Sequence, residues 1–195
     1  MRLRVLAAAA LLAAAFTLPA SARDAARGAG LAEACGGCHG ADGRSAQPGI
    51  PSLAGQRAEF ITLQMILFRE GLRDVPAMTA IAAGLPDRDI EDMAAHFAAL
   101  RHGPPEDRGP RDQALFDRGR ALSARMNCGV CHLPDYRGQA QVPRLTGQRE
   151  EFLARTLTEY RDGVRIGLDP QMNGAVAGVS DADLAALAHY LAQLD

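Results

Sequence analysis

The sequence predicts an all-α protein made of two tandem copies of one helical lobe. Three observations predict it. The first is a repeat: Pro51, Leu53, Gly55, Gln56, Arg57, Glu59 and Phe60 recur in order as Pro143, Leu145, Gly147, Gln148, Arg149, Glu151 and Phe152. Arg69-x-Gly71-x-Arg73 matches Arg161-x-Gly163-x-Arg165, and Pro76-x-Met78 matches Pro170-x-Met172, so the offset stays between 92 and 94 residues. The second is periodicity: apolar residues recur at helical spacing, with no convincing strand pattern. The third is a polar, breaker-rich stretch from His102 to Pro110, which reads as a linker.

These observations divide the chain into residues 1–22, a first lobe of 23–107 and a second of 108–195. The leading segment has a basic start at Arg2 and Arg4, an apolar run from Val5 to Phe16 and an Ala20-Ser21-Ala22 site. That is the pattern of a cleaved secretory signal peptide. The run is short for a membrane span, and an uncleaved anchor is the alternative. Cleavage after Ala22 leaves 173 residues. Export to a bacterial periplasm is the expected address.

Within the lobes, helices are expected to lead into the two cysteine motifs, over about Ala25 to Cys38 and Gln113 to Cys131. Middle helices are expected over 59–70 and 150–161. The last helix of each lobe is marked by Ile90, Met93, Ala94 and Phe97, and by Leu184, Leu187, Ala188 and Leu191. Ser180-x-x-Asp183 is a capping box for the second of these. Pro86 stands in the matching position of the first and gives a weaker cap. Each lobe is small for an independent apolar core.

The four cysteines occur as Cys35-Gly-Gly-Cys38-His39 and Cys128-Gly-Val-Cys131-His132. C-x-x-C-H is the attachment signature of c-type haem. Two thiols one helical turn apart reach the two vinyl groups of one porphyrin, and the next histidine falls under the iron. Disulfides or a zinc site are the alternatives. With five histidines in 195 residues, chance places one behind both pairs less than about once in a thousand. Zinc motifs also set their ligand pairs about 12–20 residues apart, against 93 between these. Two covalently bound haem c groups are therefore expected, and each would supply core that its lobe lacks.

The other face of each iron decides between small-molecule chemistry and outer-sphere electron transfer. Met78 and Met172 occupy matching places, each two residues after a proline and ahead of the last helix. They are expected in loops, as thioether ligands that favour ferrous iron. Met65 and Met93 lie on apolar stripes where the second lobe has Leu157 and Leu187, and are expected as core. His96 and His189 are not equivalent under the repeat, and are expected on helix faces or at the surface. His102 lies in the linker.

On these pieces, C-x-x-C-H, then P-x-L-x-G, then a methionine before the final helix, each half resembles class I cytochrome c. The tandem arrangement is similar to the dihaem cytochrome c4 family. The resemblance implies two helical lobes related by a pseudo-twofold axis. It implies that Cys35, Cys38, Cys128 and Cys131 bond haem and that His39 and His132 are proximal ligands. Met78 and Met172 would be distal ligands, and the carbonyls of Pro51 and Pro143 would accept from the histidine Nδ1–H groups. No tryptophan is available for a propionate, and Arg57 and Arg149 are candidates in its place.

The function so implied is a periplasmic electron carrier with no substrate chemistry of its own. Expected partners are redox proteins, such as a quinol-oxidising complex and a terminal oxidase or dehydrogenase, with peripheral membrane association left open. The alternatives are a haem subunit of a dehydrogenase complex and a dihaem peroxidase. Without Arg2 and Arg4 the chain has 19 arginines against 23 acids, which argues against nucleic acid as a partner.

Overall fold

The computed structural model describes residues 23–166 and 170–195. The expected signal segment, 1–22, lies outside the described residues. The first lobe contains α1 (Ala25–Leu31), α2 (Gly36–His39), α3 (Ala58–Arg69), α4 (Pro76–Ala82) and α5 (Asp87–Ala99). The second contains α6 (Gln113–Arg125), α7 (Cys128–His132), α8 (Glu150–Arg161), α9 (Gln171–Val176) and α10 (Asp181–Ala192). Among the described residues the only β pairing is an isolated bridge between Gln139 and Val142.

The local chemistry explains where these helices start. Asp24 caps α1 by accepting from the N–H groups of Ala26 and Arg27 at 3.0 Å, and Asp112 does the same for α6. Ser180 Oγ accepts from the Asp183 N–H at 3.2 Å and caps α10, whereas Pro86 gives α5 no side-chain cap. The helices leading into the cysteine motifs are interrupted. In the first lobe a 3₁₀ turn, Glu33–Cys35, separates α1 from α2. In the second, Asn127 takes a left-handed conformation between α6 and α7, which asparagine tolerates better than most residues. The second C-x-x-C-H thus forms its own short helix, and the first spans the end of the 3₁₀ turn and α2.

In each lobe the first and last long helices pack together, α1 on α5 and α6 on α10, and the middle helix packs on the last. The crossings are tight because each contains a glycine. A Cβ on Gly28 would sit 1.9 Å from the Asp92 carbonyl oxygen, and one on Gly119 would sit 2.1 Å from that of Ala186. The first core gathers Ala32, Ile61, Met93, Ala94 and Phe97, with Met65 packed against it. The second lobe has two clusters, one around Phe116, Leu153 and Leu191 and one around Leu122, Leu184 and Leu187, and Leu157 touches both.

Of the two positions expected for it, a helix face or the surface, His189 takes a face of α10. It is buried, with Nδ1 2.9 Å from Glu150 Oε2, while Nε2 accepts from the Asp112 N–H at 2.9 Å. Nδ1 therefore carries the proton and donates to Glu150, tying α10 to the starts of α6 and α8. His96, which the repeat aligns with Tyr190 instead, is half-buried with its ring edge-on to Phe97, and His102 is exposed.

Candidate functional site

The two cysteine motifs end on buried histidines, His39 and His132. His39 Nδ1 lies 2.8 Å from the Pro51 carbonyl oxygen, and His132 Nδ1 lies 3.0 Å from that of Pro143. A carbonyl only accepts, so Nδ1 carries the proton and Nε2 keeps its lone pair. Burial pushes both imidazoles below their ordinary pKa, opposed by the carbonyl contact. A neutral ring oriented through Nδ1, with Nε2 available, is the form that ligates iron.

The thiols of Cys35, Cys38, Cys128 and Cys131 are free, with Cys35 and Cys128 half-buried and Cys38 and Cys131 exposed. Burial pushes the Cys35 thiol up. Gln47 donates to the Gly37 carbonyl at 2.9 Å, and Gln139 to that of Cys131 at 3.0 Å. These two glutamines pin the motif turns, a role the sequence did not suggest.

Met78 and Met172 both lie near the start of a short helix, α4 and α9, preceded by Pro76 and Pro170. The loops expected there are helical, in runs of seven and six residues, too short for periodicity to reveal. Both methionines are half-buried. Met172 packs on the Leu122–Leu187 cluster, whereas Cys128 packs on the one around Phe116.

Of the two candidate arginines, Arg149 is engaged elsewhere, whereas Arg57 Nε is buried with no hydrogen-bond partner. Arg149 is buried, and its guanidinium donates to Asp107 at 2.8 and 3.0 Å and to the Ser45 carbonyl at 2.9 Å. It joins the second lobe to the linker and to the first lobe. Arg73 and Arg165 are the better anion seat. Each donates to Gln64 Oε1, and Arg165 Nη1 is buried with no hydrogen-bond partner. Among the described residues neither arginine has an ion-paired carboxylate. The buried Arg165 and the half-buried Arg73, together with the thiol pairs and oriented imidazoles, fit a porphyrin carrying anionic propionates.

Loops join the lobes through a reciprocal contact. The Ser52 N–H donates to Gln148 Oε1 at 2.8 Å, and Gln148 Nε2 donates to the Ser52 carbonyl at 2.9 Å. In the repeat-related pair the Arg144 N–H donates to Gln56 Oε1 at 2.7 Å, and Gln56 Nε2 donates to the Arg144 carbonyl at 3.0 Å. Ser52, Gln56 and Gln148 are buried. The void they help line is about 10 Å³, at the lower limit for one water. Both glutamines stand out in the repeat, but nothing in the sequence alone says that they cross between the lobes.

Two family models match the chain: cytochrome c over residues 116–195, and cytochrome c oxidase, cbb3-type, subunit III over residues 23–97. The chain is similar to cytochrome c4 of Pseudomonas aeruginosa, with 36% identity over 178 residues, covering 88% of this chain and 89% of that protein. It is also similar to a thiosulfate dehydrogenase electron acceptor of Stutzerimonas stutzeri, with 34% identity over 84% of this chain and 80% of that one. Reduced recombinant cytochrome c4 from Pseudomonas stutzeri superposes with a TM-score of 0.81 at 33% identity, covering 89% of this chain and all of that one.

Proposed function

The chain belongs to the cytochrome c4 family, and from that premise we propose that it is a periplasmic shuttle passing single electrons between respiratory partners through two His/Met-ligated haems. Family membership makes it an electron carrier rather than an enzyme, with two haem c groups. Each haem c supplies a one-electron ferric/ferrous couple.

The chain's residues would hold and tune these couples. Cys35 and Cys38 bond the first haem, and Cys128 and Cys131 the second. His39 and His132 are the proximal ligands, and Pro51 and Pro143 fix their rings. Met78 and Met172 are the distal ligands; a sixth protein ligand closes the iron to small molecules, and a thioether raises the potential. The lobes run over 23–107 and 108–195, after a signal peptide of 1–22. Arg73 and Arg165 face the propionates. The observation that carries this reading is the duplicated histidine, buried directly behind each thiol pair and held through Nδ1 by a proline carbonyl.

The partners are redox proteins, and a quinol-oxidising complex with a terminal oxidase fits a free shuttle. A second reading, the electron acceptor of a thiosulfate dehydrogenase, is favoured by the likeness to a protein of that name. Purification of the exported protein separates these readings. The intact mass is expected to equal the chain from Arg23 plus two haems, and a chain with fewer haems overturns the dihaem reading. A dehydrogenase that co-purifies and reduces the protein at a physiological rate selects the second reading over the free shuttle.

A further inference from the structure

The carbonyl of Pro51 and the N–H of Ser52 belong to one peptide group. The carbonyl accepts from His39 Nδ1 at 2.8 Å, while the N–H donates to Gln148 Oε1 at 2.8 Å. In the second lobe the carbonyl of Pro143 accepts from His132 Nδ1 at 3.0 Å, and the N–H of the same peptide group, on Arg144, donates to Gln56 Oε1 at 2.7 Å. Each histidine is therefore one peptide group away from a glutamine of the opposite lobe.

The glutamine orientation is fixed. Gln148 Oε1 also accepts from the Arg149 N–H at 2.9 Å, and Gln56 Oε1 from the Arg57 N–H at 2.9 Å. An end of the amide that faces two N–H donors is the oxygen.

We propose that Gln56 and Gln148 are positioning residues that tune the proximal histidines in trans, Gln148 of the second lobe acting on His39 and Gln56 of the first lobe acting on His132. Hydrogen bonds in a chain polarise one another, most strongly where water is excluded. Donation from the Ser52 N–H to Gln148 makes the Pro51 carbonyl a stronger acceptor. A stronger acceptor at Nδ1–H makes the imidazole a more basic ligand, which favours ferric iron and lowers the potential of that haem. The second arm, from Gln148 Nε2 to the Ser52 carbonyl, holds the amide in place. The proposal rests on the reading of His39 and His132 as iron ligands.

The test is a potentiometric titration of the holoprotein, with each one-electron step assigned to its lobe by haem-methyl proton resonances. Gln148→Met removes the acceptor at similar size. It is expected to raise the first-lobe potential by about threefold in the ferrous-to-ferric ratio, or ~28 mV at 59 mV per tenfold for one electron, and to leave the second-lobe haem in place. Gln56→Met gives the mirror image. Gln148→Glu gives up the Nε2 donor to the Ser52 carbonyl but keeps a stronger, charged acceptor for the Ser52 and Arg149 N–H groups, so it lowers the first-lobe potential more than the second. This variant decides the matter if Gln148→Met does not fold. A shift confined to the lobe that carries the substitution, an equal shift in both lobes, or no shift overturns the proposal. A wild-type protein without two histidine-ligated haems overturns the functional reading instead, and its own spectrum reports that before any variant is made.

Discussion

Arg73 and Arg165, one from each lobe, donate to the same oxygen, Gln64 Oε1, at 2.7 and 3.1 Å. Each guanidinium also lies over a ring, Arg73 over Phe68 at 4.6 Å and Arg165 over Tyr160 at 4.8 Å. Burial, and then the neighbouring Arg165, push the Arg73 guanidinium down to about 9, so it stays charged at neutral pH. Burial lowers Arg165 in the same way. Two partly desolvated cations meeting on one neutral oxygen suit a neighbouring anion, the role proposed above for the haem propionates.

Replacing either cation is expected to lower the haem potentials, because a nearby positive charge favours the ferrous state. At an effective dielectric of ~20 and a separation of ~10–15 Å the effect is on the order of 1 kcal/mol. Redox titrations of Arg73→Gln and Arg165→Gln check this. Potentials equal to wild type in both variants place the propionates elsewhere.

Replacing Met78 by Ala is expected to abolish the sulfur-to-iron charge-transfer band of the first haem and lower its potential, and Met172→Ala to do the same to the second. Met65→Ala and Met93→Ala serve as controls. Met93 belongs to the first core and Met65 packs against it, so Met93→Ala costs about 2–5 kcal/mol of stability, Met65→Ala costs less, and both leave the near-infrared spectrum intact. A band lost in Met65→Ala would overturn the assignment.

Much of this architecture is legible in the sequence because it is written twice. An offset of 92 to 94 residues aligns every later element, and the stripes of Ile90–Phe97 and Leu184–Leu191 mark the final helices. The short helices α4 and α9 were not legible, since they span less than two turns. Nor was the break before Cys128, which depends on one left-handed residue, Asn127. The interlobe contacts were the least legible: Gln56 and Gln148 act on backbone atoms, and a backbone partner leaves no signature in residue identity. Arg149 misled for a related reason. It recurs as Arg57, yet its partners, Asp107 and the Ser45 carbonyl, are distant in sequence.

The Arg149–Asp107 pair gives the interlobe contact a pH dependence. Hydrogen bonds from Arg149 hold the Asp107 carboxyl below its ordinary value of 3.8, with burial opposing. A carboxyl depressed in the folded state contributes stability above its unfolded pKa and loses it as the pH falls through the folded value. The contribution is therefore complete above about pH 4 and disappears in stronger acid. Asp107→Asn is expected to flatten the stability profile between about pH 4 and 2, measured by thermal unfolding across that range. A variant profile parallel to wild type would show that the pair does not couple to folding.

The close crossings of α1 on α5 and α6 on α10 make a sharper prediction, because glycines on the same helix carry opposite expectations. A Cβ on Gly28 would meet the Asp92 backbone at 1.9 Å, and one on Gly119 would meet the Ala186 carbonyl at 2.1 Å and Tyr190 Cβ at 2.5 Å. Neither backbone can yield without moving a helix. Gly28→Ala and Gly119→Ala are each expected to destabilise the holoprotein by about 1–3 kcal/mol or more. Gly30 lies on α1 with nothing within 4 Å of its virtual Cβ. Gly30→Ala is therefore expected to stabilise by about 0.5–1 kcal/mol, through the lower entropy of the unfolded chain. Far-UV circular dichroism during denaturant unfolding reads all three variants. The crossings also position the cysteine turns, since α1 and α6 each end only a few residues before Cys35 and Cys128. Gly119→Ala should accordingly disturb the haem spectrum of the second lobe at denaturant concentrations where Gly30→Ala leaves both haems unchanged. Equal stability of Gly119→Ala and wild type would mean that the two helices can separate at no cost, contrary to the close packing at Ala186.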